Sequence, residues 1–242
     1  ARTAGELAGL PPFEARAEGA EAPLSFTQER LWFLEQLTPG RSTYHMPVAL
    51  RLRGQLDVAA LERSFGGLVR RHEALRTVVR AGAGGPVQVV LPAPENFRVG
   101  TLGANEIGAE VRRAFALGEE LPIRARLVSR DAEDHVLVVV MHHLVSDGWS
   151  VDVIVRELSE LYAAAVSGRT AALPALTRQY ADFAAWQRAW LRGGALARQL
   201  DREFRDLRLQ TYDPPLSIDA ALAAAKAAAQ GPVVLADTGD NA

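Results

Sequence analysis

Val136–Met141 reads VLVVVM, six consecutive apolar residues bounded by Asp134-His135 on one side and His142-His143 on the other. A strand of this kind has no solvent face. It belongs in the middle of a sheet covered on both sides. The rest of the chain must therefore supply two apolar layers, and its patterning does. Val58–Arg71 carries Leu61, Phe65, Leu68 and Val69 on one helical face, with Asp57 as its cap. Val151–Ala165 repeats the i, i+3, i+4 pattern through Ile154, Leu158 and Leu161, with Ser150 as the expected N-cap and Gly168 as the stop. Ser25 with Gln28 three residues on is a capping box, and Phe26, Leu31, Leu34 and Leu37 form the apolar stripe expected to face inward.

Strands are expected at Met46–Arg53, at Leu75–Val79 with partner Val87–Leu91 across the 81–86 loop, and at Ile123–Ser129. Ile107–Phe115 reads as a short helix, and residues 177–200 as another helical stretch. Strands and helices without strict alternation give the class α+β. At roughly 100–200 residues per domain, 242 residues make one large domain or one and a half.

Composition narrows the chemistry. There is no cysteine, which excludes disulfides, thiolate nucleophiles and Cys-ligated metals. The charge balance of 27 basic against 29 acidic residues gives no basic footprint for nucleic acid. No apolar run reaches membrane-spanning length, and residues 1–23 lack an apolar signal core, so a cytoplasmic protein with no membrane contact is expected.

Five histidines carry the near-neutral acid–base capacity, and two of them, His142 and His143, leave the apolar strand together. Neighbours on a strand point to opposite faces, so one can face a cavity while the other packs inside, and the two do not make a metal pair. Asp147-Gly148 reads as a tight turn close behind them. On the residues alone, a structural and a functional role for this segment both stay open.

The segment His142-His143-Leu144-Val145-Ser146-Asp147-Gly148 matches the HHxxxDG signature of nonribosomal peptide synthetase condensation domains, relatives of chloramphenicol acetyltransferase. Three further segments fit the same family in its order: Ser25–Leu34 (SFTQERLWFL), with Thr27 where the family has Ala; Arg71–Thr77 (RHEALRT); and Tyr180–Gln187 (YADFAAWQ). The resemblance covers about residues 23–200. It implies a chloramphenicol acetyltransferase-like α/β sandwich lobe, a mixed sheet flanked by helices, with the family's C-terminal lobe missing. Residues 1–22 then read as a linker or the end of an upstream domain. Residues 201–242, with a Ser217-capped helix and a strand at 233–236, read as an atypical tail of unrelated sequence.

The resemblance also implies a reaction. An aminoacyl thioester would attack an acyl or peptidyl thioester, each delivered on the phosphopantetheine arm of an upstream or downstream peptidyl carrier protein, beside an adenylation domain. No bound cofactor or metal is expected. His143 would take the amine proton or stabilise the tetrahedral species, with His142 structural. Asp147 would pair with Arg76 inside the protein, so that losing one partner strands a charge at about 3–5 kcal/mol. Gly148 would give the turn its freedom and bring a backbone N–H near the reaction centre. Ser146 and Trp149 would support the site, Trp149 as cavity wall or core. The intact histidines point to peptide-forming condensation rather than cyclisation. A catalytically silent carrier-docking or structural fragment, and an oligomeric stand-alone acyltransferase, are the competing readings.

Overall fold

The computed structural model describes residues 12–16 and 21–192. Strands β1 (Ala22–Pro23), β3 (Thr77–Gly82) and β4 (Gly85–Val90) form a three-stranded sheet in the order β1-β4-β3. A second sheet has the order β2-β7-β6-β5, from β2 (His45–Arg53), β5 (Gly100–Thr101), β6 (Ile123–Ser129) and β7 (Asp134–His142). Only β5 and β6 run parallel, so the second sheet is mixed. Helices α1 (Phe26–Leu37), α2 (Val58–Arg71), α3 (Ile107–Arg112), α4 (Gly148–Ser167) and α5 (Tyr180–Arg192) complete the α+β fold.

β7 is the apolar strand, and it lies inside its sheet as expected, between β2 and β6. Its side chains alternate between two cores. Leu137, Val139 and Met141 pack with Phe65 and Leu68 of α2 and Leu158 of α4. Val138 and Val140 pack with Leu24, Leu31, Phe115 and Leu117 on the opposite face. Each such side chain, fully buried, stabilises by about 1.5–3 kcal/mol. The parity decides the fate of the next residue. His142 continues the even-numbered series, so its ring enters the second core, 6.1 Å from the Phe115 ring.

Several expectations need correction. The segment Glu73–Arg76 is a 3-10 turn and β3 begins only at Thr77; β3 runs on to Gly82 and β4 starts at Gly85, so the hairpin turn tightens to residues 83–84. Gly85 makes this possible with φ +124, a conformation that L side chains rarely adopt. α3 stops at Arg112, where the buried Arg124 guanidinium from β6 binds the carbonyls of Glu110, Arg113 and Ala114. α1 is rotated from the expected orientation. Its buried residues are Gln28, Leu31 and Glu35, while Phe26 and Leu37 of the expected stripe are exposed.

Part of the stretch read as linker is fastened to the domain. β1 pairs with β4, and Arg16 bridges Glu73 at 3.0 Å and Asp182 at 3.2 Å. The expected helix at 177–200 is α5 as far as Arg192. Its remainder, and the expected helix and strand in 201–242, lie outside the described residues.

Candidate functional site

The strand–loop–helix junction from β7 to α4 is built from its backbone outward. His142 N–H donates to Pro122 O at 3.0 Å and His143 N–H to Tyr44 O at 2.8 Å, so the main chain of both histidines stays tied to neighbouring backbone. Val145 N–H and the Ser146 hydroxyl both donate to His142 O, at 3.1 and 3.2 Å, which folds the loop back on the strand end. Ser146 is buried and does support the loop in this way.

The two histidines part as strand geometry requires. His142 is 1% exposed. Its Nδ1 accepts the Leu144 N–H at 3.1 Å, which leaves the ring proton on Nε2. Burial, with the neighbouring charges of His45 and His143, pushes its pKa down to about 4, so the ring is neutral at neutral pH. The His143 ring is exposed and makes no hydrogen bond or ion pair to the described residues. Its backbone is held while its imidazole is accessible, an arrangement that offers a proton acceptor or donor to a visiting molecule.

Asp147 does not meet Arg76. Its Oδ1 accepts the Ser150 N–H at 2.8 Å and the Ser150 hydroxyl at 2.6 Å, while its own N–H donates to Ser150 Oγ. This is a capping box with Asp147, not Ser150, as the N-cap of α4. The Ser150 hydroxyl, then the Ser150 N–H, hold the Asp147 carboxyl below its ordinary pKa. Arg76 instead donates to Leu91 O and stands 3.6 Å from Glu73, in the turn before β3. The Asp147 charge is satisfied by a helix N-terminus, so no buried guanidinium is needed to balance it.

Two further corrections follow from the same cap. Gly148 is the first helical residue, with no positive φ and open space where a Cβ would sit, so the turn does not require glycine's freedom. Trp149 is 80% exposed, neither core nor cavity wall among the described residues. A cavity of about 290 Å³ lies at the far end of β2, lined by Leu50, Leu52, Leu56, Leu137, Leu158 and Tyr162 among others, and none of the junction's residues reaches it.

Two side chains on the buried face of α1 meet this loop in ways the sequence reading did not anticipate, Gln28 beyond its capping role and Glu35 altogether. Gln28 Nε2 lies 3.3 Å from Leu144 O and 3.2 Å from Gln88 Oε1, donating to both, while its Oε1 accepts the Ser25 N–H. Glu35 places Oε2 3.7 Å from His142 Nε2, and burial raises its carboxyl pKa against the opposing pull of the Gly40 N–H and His45. The seven-residue spacing of Gln28 and Glu35 around Leu31 was the available signal. Among the described residues no group of three or more His, Asp or Glu could hold a metal ion, and no helix is long and apolar enough to cross a membrane.

This geometry has relatives. The family model for the condensation domain matches residues 18–217. Malpinin synthetase of Mortierella alpina is 44% identical over 189 residues, which is 74% of this chain and 2% of that protein. The X-domain from teicoplanin biosynthesis superposes with a TM-score of 0.68 at 33% identity, over 76% of this chain and 41% of that one. The first condensation domain of the calcium-dependent antibiotic synthetase shares the fold, with a TM-score of 0.67 at 20% identity, over 81% of this chain and 49% of that one. The chain thus spans about half the length of these solved structures. With a match over most of its residues and a fold shared with solved condensation domains, the chain belongs to the condensation-domain family.

Proposed function

We propose that this chain carries the histidine-bearing part of a condensation site that joins a carrier-bound acyl or peptidyl thioester to a carrier-bound aminoacyl acceptor in nonribosomal peptide synthesis. The observation that supports this most is the exposed His143 ring on a backbone fixed to Tyr44, at the end of the buried strand. The acceptor's amine nitrogen attacks the donor carbonyl carbon. The C–N bond forms, the C–S bond breaks, and the carrier thiol leaves. The amine proton passes to His143 or solvent and then to the thiolate. A thioester is already activated, so holding amine and carbonyl together supplies much of the rate.

The partners in this reading are the upstream and downstream peptidyl carrier proteins, whose phosphopantetheine arms deliver substrate, and an adenylation domain that loads them. The chain brings no cofactor of its own to the reaction. The test is amide formation from two loaded carriers, read by mass spectrometry in a single turnover. His143→Ala is expected to slow it about 100-fold, the low end for general acid–base catalysis. Equal rates for the variant and the parent overturn the assignment. Carrier binding with no amide product identifies a docking module instead.

A further inference from the structure

We infer that Gln28 and Glu35 are positioning residues for His143, acting from α1 on the residues that flank it. The inference rests on the function proposed above and extends it to residues outside the histidine loop. Seven residues make two helical turns, so both side chains leave the same face of α1. Both are buried, Gln28 at 1% and Glu35 at 8% exposure. Gln28 reaches the residue after His143 and donates to its carbonyl, Leu144 O, at 3.3 Å. Glu35 faces the residue before it, with Oε2 3.7 Å from His142 Nε2. Between them Leu31 and Trp32 pack in the same core as Leu144. One helix face thus bears on both neighbours of the exposed imidazole.

The polar accounting supports the assignment. His142 Nδ1 is used as an acceptor, so Nε2 must donate, yet it has no hydrogen-bond partner among the described residues. Buried donors find acceptors, and the Glu35 carboxyl oxygen stands 3.7 Å from this one. At 3.7 Å the contact is longer than a hydrogen bond, and a small ring or side-chain rotation closes it. Gln28 has no unused polar group of this kind. Its amide is shared between Ser25, Gln88 and Leu144, so it ties the cap of α1 and strand β4 to the loop at once. Displacing either contact moves the His143 backbone without touching the His143 ring.

The experiment compares Glu35→Leu, Glu35→Gln and Gln28→Met in the 242-residue chain, with imidazole nitrogen NMR and single-turnover amide formation as readouts. The His142 Nε2–H resonance is expected to move in Glu35→Gln, because the carboxyl oxygen that faces it is replaced by an amide. In Glu35→Leu and Gln28→Met the His143 signals are expected to broaden, and turnover to fall about tenfold to 100-fold at unchanged KM, as a misplacement near 1 Å does. Glu35→Gln, which keeps an acceptor, is expected to restore most of the rate. Unchanged His142 and His143 resonances in the folded variants overturn the inference. If Glu35→Leu does not fold, the Glu35→Gln shift of the His142 proton decides alone, and its absence overturns the inference. His143→Ala measured alongside separates the two claims. A variant as fast as the parent removes the proposed function and leaves the NMR to judge the positioning.

Discussion

The Arg71–Arg76 segment and the His142–Trp149 segment use the same ingredients and treat them differently. His72 Nε2 meets Glu157 Oε2 at 2.7 Å, and Arg71 Nε binds the same oxygen at 2.9 Å. Arg71 also donates to Pro174 O at 2.5 Å, and Gln179 bonds both Arg71 O and the Glu73 N–H. Arg16 then joins Glu73 to Asp182. α2, α4, the start of α5 and residues 12–16 are riveted together there. The His142–Trp149 segment is held chiefly through its backbone, by Pro122 O and Tyr44 O, and by the Asp147–Ser150 cap. His142 faces Glu35 without a hydrogen bond, and His143 and Trp149 offer their side chains to solvent. Both regions keep unused buried donors, Arg16 Nε and Arg76 Nε in the first and His142 Nε2 in the second. The first ties its charged side chains to one another, whereas the second turns an imidazole to solvent and leaves room for a reacting molecule.

The largest effect that bears on this contrast is expected at Glu157. Burial works to raise its pKa, but the bonds to His72 and Arg71 outweigh burial and lower it overall. Glu157→Leu leaves both partners with no carboxylate, and a loss of about 3–5 kcal/mol is expected in denaturant unfolding. A loss under about 1 kcal/mol, the worth of a surface pair, means that the cluster is no rivet.

The next effect sharpens the other side. His142 ionises only near pH 4 in the folded chain but near 6.5 when unfolded. Below pH 6.5 the unfolded chain therefore binds a proton that the folded chain refuses. Stability is complete above 6.5, falls as the pH drops toward 4, and levels off below. At about 1.4 kcal/mol per unit, this is on the order of 3 kcal/mol. The groups facing the ring are Glu35 from α1 and His45 from β2, and the charge of His143 acts on it from the loop. Glu35 works with the opposite sign, because burial raises its carboxyl and makes protonation easier in the folded chain. Chemical unfolding followed between pH 7 and 4 reads the sum, and His142→Asn should flatten the acid limb.

Much of this was legible in the sequence, for reasons that are local. The Ser25–Gln28 box, the Asp57 cap and the Gly168 stop, which sits at φ +65, depend on residues within a turn of one another. Val136–Met141 declared a two-sided core because no solvent-facing residue interrupts it. What failed was global or degenerate. Asp147 and Ser150 are both good N-caps, and each completes the other's box, so composition did not choose between them. The face of α1 depends on which core it lies against. Leu37 points outward because Gln28 and Glu35 are drawn inward by Leu144, Gln88 and His142. That information sits in segments more than 50 residues away.

The smallest expected effect concerns Asp147, where the resemblance and the geometry disagree most directly. A buried pair with Arg76 would make Asp147→Ala cost about 3–5 kcal/mol. The structure shows instead an exposed carboxylate that closes the first turn of α4 through Ser150. Loss of such a cap costs about 1 kcal/mol, within a range of roughly 0.5–2. The decisive measurement is a double-mutant cycle with Arg76→Ala. Sites that share no partner add within about 0.3–0.5 kcal/mol. A coupling well above that places Arg76 against Asp147 in solution, and the segment is then riveted after all. Additivity keeps Arg76 with Leu91 and Glu73, and leaves the helix N-terminus as the anchor of the histidine loop.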